Sequence, residues 1–147
     1  MKQTASKLKI SSLPIKKLEE VAFSLIDPKS NTRCRHFSFI LHKGRLIATG
    51  INCNKTHPLN LINRKISKVT GVDYSDQKFT CSELNAILKL KRLTNIDSKK
   101  CVLVNIRYDR NDNIALAAPC MSCESLLRYH SFKQVIWSTE GGDYETA

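Results

Sequence analysis

No apolar run in this chain is long enough to form a membrane-crossing helix, and there is no internal repeat and no linker. Those absences leave one domain as the simplest reading of 147 residues, a length that buries a sizeable core. No membrane partner is expected. The N-terminal sequence MKQTASKLKISSLP is basic and polar and lacks the apolar core of a secretory signal, so a cytoplasmic location is expected. Without that signal, a disulfide framework is a weak reading of the six cysteines; a reduced compartment favours metal binding or burial. Acidic residues are also scarce, 13 Asp and Glu against 24 Lys and Arg, for a net charge of +11. That balance invites a polyanion partner, either nucleic acid or nucleotide phosphates. The competing reading is compositional: Lys, Ile and Asn are all abundant, and the lysines are scattered rather than clustered. Aromatic residues such as Phe37, Phe39, Tyr74, Phe79 and Tyr129 are too few and too strand-like to show a base-stacking platform.

What is present reads as alternating layers. Residues 1–12 form a basic flexible tail, residues 13–140 one domain and residues 141–147 a polar C-terminal tail that frays. Pro14 opens a helix with Leu18, Val21, Ala22, Leu25 and Ile26 on one face, closed by Asp27-Pro28. His36 to His42 and Arg45 to Gly50 read as two strands joined at Lys43-Gly44, with Ser38 alternating against Phe37 and Phe39 as on a half-buried strand. The stretch from Ile51 to Phe79, with its basic group Arg64, Lys65 and Lys68, is a long loop with at most one short helix. Thr80 to Leu93 is a helix apolar nearly all round, with Asn85, Lys89 and Arg92 as its polar stripe. The run Cys101 to Ile106 suits a central strand buried on both faces, which makes Cys101 a small core hydrophobe. A short extended piece, Ile114 to Ala118, leads into Pro119, a helix from Cys120 to His130 and a last strand, Gln134 to Ser138. Helices alternating with strands after an initial hairpin predict an α/β layered domain with a mixed sheet.

The chemistry gathers in Thr80-Cys81-Ser82-Glu83 and Pro119-Cys120-Met121-Ser122-Cys123. Three thiolates and an open position suit a catalytic zinc, whereas a structural zinc takes four ligands. Cys120 and Cys123 lie one helical turn apart and share a face, and a helix start favours thiolate over thiol. Glu83, two residues from Cys81, sits where it moves protons for a metal-activated water without binding the metal. Three plainer readings compete. Thr80 and Glu83 fit a capping box; Cys120 and Cys123 fit a redox pair; and the same pair fits half of a four-ligand structural site.

The combination of C-x-E and P-C-x-x-C resembles the signature of the zinc-dependent cytidine and deoxycytidylate deaminase superfamily. The segments ATGINCNKTHP, SELNAI and SFKQVIWST are similar to their counterparts there, so the resemblance runs from about residue 33 to residue 140. It implies a three-layer α/β/α sandwich with a mixed central sheet. One Zn2+ per chain would be held by Cys81, Cys120 and Cys123, with Glu83 as the proton-transferring catalytic residue. It places Asn52 and the backbone around Ser82 against the base or sugar. Lys55 and His57, in the long segment after Asn52, are candidates for a 5′-phosphate. The implied reaction is hydrolytic deamination of cytosine in a nucleoside or nucleotide, deoxycytidylate favoured, giving the uracil product and ammonia, commonly in a homo-oligomer. A deaminase acting on a base within single-stranded DNA or RNA is the alternative that the charge supports. A non-catalytic zinc module that binds nucleic acid is the alternative from another class, with Cys53 or His57 as its fourth ligand.

Overall fold

The computed structural model describes residues 12–26, 35–52, 81–93, 95–119 and 121–147. Helix α1 (Ile15–Ser24) is followed by β1 (His36–His42) and β2 (Arg45–Ile51), then α2 (Ser82–Lys91), a 3-10 turn (Ser98–Lys100) and β3 (Cys101–Tyr108). The chain ends with β4 (Ile114–Ala115), α3 (Met121–Tyr129), β5 (Gln134–Ser138) and β6 (Tyr144–Thr146). The predicted tail over residues 1–12 and the predicted long loop beyond Asn52 lie outside the described residues.

One mixed sheet carries the domain, in the order β2-β1-β3-β5-β6, with β4 paired to the far end of β3. The β1–β2 hairpin turns at Lys43 and Gly44, whose φ values of 53° and 77° form the left-handed pair that a two-residue turn requires. β1 and β3 run antiparallel, with Ser38 opposite Asn105 and Phe39 opposite Val104. β3 and β5 run parallel. Alternation along these strands sorts two cores. Phe37, Phe39, Leu41, Val102, Val104 and Ile106 point to one face and pack with Leu18 and Ala22 of α1. Ile40, Ala48, Cys101 and Leu103 point to the other, against Leu84, Ala86, Ile87 and Leu90 of α2 and Leu126 and Leu127 of α3. Each such side chain contributes roughly 1.5–3 kcal/mol on burial. The expected three-layer α/β/α sandwich with a mixed sheet is present.

Two expectations need correction. β1 is buried on both faces and Ser38 is fully inaccessible, because α2 covers the side that the alternation suggested was open to water. The polar tail over 141–147 is instead strand β6, paired antiparallel to β5. Tyr144 anchors it: its hydroxyl donates to Glu19 Oε2 of α1 at 2.6 Å. The competing capping-box reading turns on Thr80, which lies outside the described residues. α2 begins at Ser82 with Cys81 as its extended flanking residue, so Glu83 is the second helical residue rather than the third.

Candidate active site

The N-terminal end of α2 is pinned to β2 by a close backbone approach. A Cβ at Gly50 would lie 2.1 Å from the Ser82 carbonyl oxygen and 2.5 Å from the Ala86 nitrogen, so only glycine fits. Next to this contact, Asn85 Nδ2 donates to Ile51 O at 3.1 Å and Lys89 Nζ to Thr49 O at 2.6 Å. The predicted polar stripe of α2 is thus the edge that meets the β2 main chain. Cys81, half-buried at φ −70° and ψ 153°, projects from the helix start, where the positive end of the helix favours thiolate.

Beneath that helix end lies a buried polar ring. Ser38, Ser82 and Asn105 are fully buried and Glu83 is 2% exposed. Ser38 Oγ donates to Asn105 Oδ1 at 2.6 Å and lies 2.8 Å from Ser82 Oγ. Ser82 Oγ meets Glu83 Oε1 at 3.0 Å, and Asn105 Nδ2 donates to Glu83 Oε2 at 3.1 Å. The second Nδ2 proton goes to Ala117 O at 3.3 Å. Proton counting shows what the ring accommodates. With Ser38 donating to Asn105, the single Ser82 proton faces two acceptors, Ser38 Oγ and Glu83 Oε1. A carboxylate takes that proton and leaves the Ser38–Ser82 contact without one. A carboxyl with its proton on Oε1 closes the ring, donating to Ser82, which then donates to Ser38. Rotation of one hydroxyl therefore lets the site hold Glu83 with or without a proton.

Asn105 also links the two halves of the motif. Glu83 follows Cys81 by two residues, and Ala117 begins the approach to Pro119 and Cys120. One amide group touches both segments. Cys123 lies in the first turn of α3, which packs against α2. Of the three cysteines that the motif pair offers a metal, Cys81 alone has its side chain among the described residues. The described residues alone bring together no metal-holding group of three His, Cys, Asp or Glu. Cys120, Lys55 and His57 lie outside the described residues. Asn52 follows β2: its backbone N donates to His36 O and its Oδ1 accepts from His36 N, both at 3.2 Å. The Ser82 hydroxyl is engaged in the ring, and its carbonyl oxygen faces Gly50. Cys101 is no ligand candidate, since burial and then the charge of Asp97 push its thiol up and its Sγ donates to Asp97 O at 3.4 Å.

No protein-family model matches the chain, and no curated protein is similar to it in sequence. Solved structures match it in shape. The cytidine deaminase from Burkholderia pseudomallei superposes with a TM-score of 0.57 at 13% identity, over 95% of this chain and 92% of that one. The dCMP deaminase from the cyanophage S-TIM5 in apo form gives 0.53 at 18% identity, over 91% and 87%. Its complex with dCMP and dUMP gives 0.54 at 17% identity, over 91% and 85%. The chain has the cytidine deaminase fold. Within it, Cys81 and Glu83 sit at the start of a helix laid across the sheet, and Asn105 links Glu83 to the segment that leaves β4 at Ala117.

Sequence reading missed Ser38 and Asn105. Their signal was present: each is a lone polar residue in an apolar run, HFSFI and CVLVNI, and a polar group buried inside a sheet needs a partner.

Proposed function

We propose that the chain is a zinc-dependent hydrolytic deaminase acting on the cytosine base of a nucleoside or nucleotide, with deoxycytidylate first among substrates. The observation that carries this reading is the buried Glu83 carboxylate, two residues from Cys81 and bonded to the same amide as the approach to Cys120. The fold likeness to cytidine and dCMP deaminases supports it.

Cys81, Cys120 and Cys123 would hold the metal, which supplies a Lewis acid that makes water nucleophilic near neutral pH. Glu83 takes one proton of the attacking water as the C4–O bond forms and passes it to ring N3. It then takes the remaining proton from the C4 hydroxyl and delivers it to the departing amine as the C4–N4 bond breaks, so cytosine and water give uracil and ammonia. The ring beneath Glu83 suits a residue that must both accept and release a proton. Asn52 and the Ser82 backbone orient the base or sugar, and Lys55 and His57 contact a phosphate. Three thiolates make the site one charge more negative than a set with one histidine, and the starts of α2 and α3 offset that charge.

The charge of +11 favours one second reading, a base within single-stranded DNA or RNA. Ammonia release from a panel of cytidine, deoxycytidine, their mono- and triphosphates, single-stranded DNA and tRNA separates the two. Turnover of deoxycytidylate ahead of the strands supports the nucleotide reading. Turnover of strands alone replaces it, and no turnover of any member refutes the enzyme.

A further inference from the structure

We propose that Asn105 is a positioning residue that sets the spacing between the Glu83 carboxylate and the segment that leads from Ala117 to Cys120, with Ser38 satisfying its amide oxygen. The proposal rests on the deaminase reading above. Asn105 is fully buried in the central strand, and among the described residues its three side-chain hydrogen bonds all reach other segments: Ser38 on β1, Glu83 on α2 and Ala117 on the way to Cys120. Two of those partners, Glu83 Oε2 and Ala117 O, accept from the same NH2 group. A planar amide holds its two protons at a fixed angle, so the carboxylate and the incoming loop are held at a fixed relative position. The two acceptors fix the amide's orientation. If the amide flipped, Oδ1 would face the carboxylate and the Ala117 carbonyl, both acceptors; in the orientation observed, the Ser38 hydroxyl donates to Oδ1 at 2.6 Å and satisfies it. A purely structural role would require only that the amide be satisfied. Here its two protons are divided between the two parts that the reaction must bring together.

The test compares Asn105→Leu, Asn105→Asp and Ser38→Ala with Val104→Ala, a neighbour on β3 that faces α1 and touches none of the ring. Asn105→Leu keeps the branched shape and removes every side-chain hydrogen bond. Asn105→Asp keeps the acceptor for Ser38 and removes both donors. Both are expected to lower kcat about 100-fold, the order that a misplacement near 1 Å produces, with KM within about threefold of the parent and zinc still at one per chain. Ser38→Ala should lower kcat in the same way but less, and it carries the test if the Asn105 variants do not fold. Val104→Ala should lower Tm and leave kcat alone. The proposal is overturned if the Asn105 variants keep kcat within about threefold, or if Val104→Ala loses as much kcat for an equal loss of Tm.

A second readout needs neither zinc nor turnover. In the metal-free 15N-labelled protein, the Asn105 side-chain amide protons should exchange slowly with solvent. Glu83→Ala should shift the proton that faces Oε2 more than the one that faces Ala117. If the parent turns over no substrate, the deaminase reading fails and this spectrum decides the clamp. A pair that exchanges freely and ignores Glu83→Ala overturns it.

Discussion

Gly50→Ala is the most severe single-methyl change that the structure allows near the site. The added Cβ would sit 2.1 Å from Ser82 O, 2.5 Å from Ala86 N and 2.9 Å from Ala86 Cβ. None of these is the far end of a flexible side chain, so relief requires α2 itself to move. Restoring an ordinary contact of about 3.5 Å demands a shift of more than ~1 Å at the helix start. Overpacking of this kind costs about 1–3 kcal/mol. For a chain of this size that lowers Tm by roughly 3–12 °C. The same displacement carries Cys81 and Glu83 away from Asn105, so kcat should fall about 100-fold in whatever protein remains folded. Thermal unfolding followed by circular dichroism gives the first quantity, and ammonia release at saturating substrate gives the second. A variant with an unchanged Tm would refute the close docking of α2 on β2. A variant with a lowered Tm and full kcat would refute the claim that this docking positions the catalytic carboxylate.

Other outcomes follow from single contacts. Tyr144→Phe removes the hydroxyl bonded to Glu19 and should cost about 1 kcal/mol, seen as a lower midpoint in urea, because β6 loses its tie to α1. His130 carries a buried Nε2 with no partner among the described residues, and burial, with Lys91 second, lowers its pKa from 6.5 to about 4. The unfolded chain therefore binds the His130 proton more readily than the folded one, and stability present above pH 6.5 is lost as pH falls towards 4. His130→Leu should flatten that acid limb in Tm measured against pH. Cys101→Ala should leave zinc at one per chain by elemental analysis, whereas Cys81→Ser should lose the metal. A chelator should abolish ammonia release by the parent, and added zinc should restore it.

The parts that sequence made legible were those in which one physical rule acted alone. Lys43-Gly44 between two apolar runs admits a tight hairpin, and the run from Cys101 to Ile106 is central because both its faces are apolar. The motif pair pointed to the fold that the chain has. The errors arose where two rules overlapped. Ser38 between phenylalanines has the pattern of a half-buried strand, and only the packing of α2 turns its hydroxyl into a core group. β6 has a single half-buried residue, Tyr144, in an otherwise exposed strand, so it lacks the apolar alternation that would have announced it. The candidate phosphate contacts Lys55 and His57 carry no local pattern that separates a binding residue from a solvated one.

The most direct measurement is ammonia release by Glu83→Ala alongside its zinc content, in the same preparation and on the substrate that the parent turns over. Glu83 is expected to move protons and not to bind metal. The variant should therefore hold one zinc per chain and release no ammonia above the uncatalysed rate. Full activity, with zinc retained, would contradict the role given to the carboxylate and reduce it to a structural member of the ring with Ser38, Ser82 and Asn105.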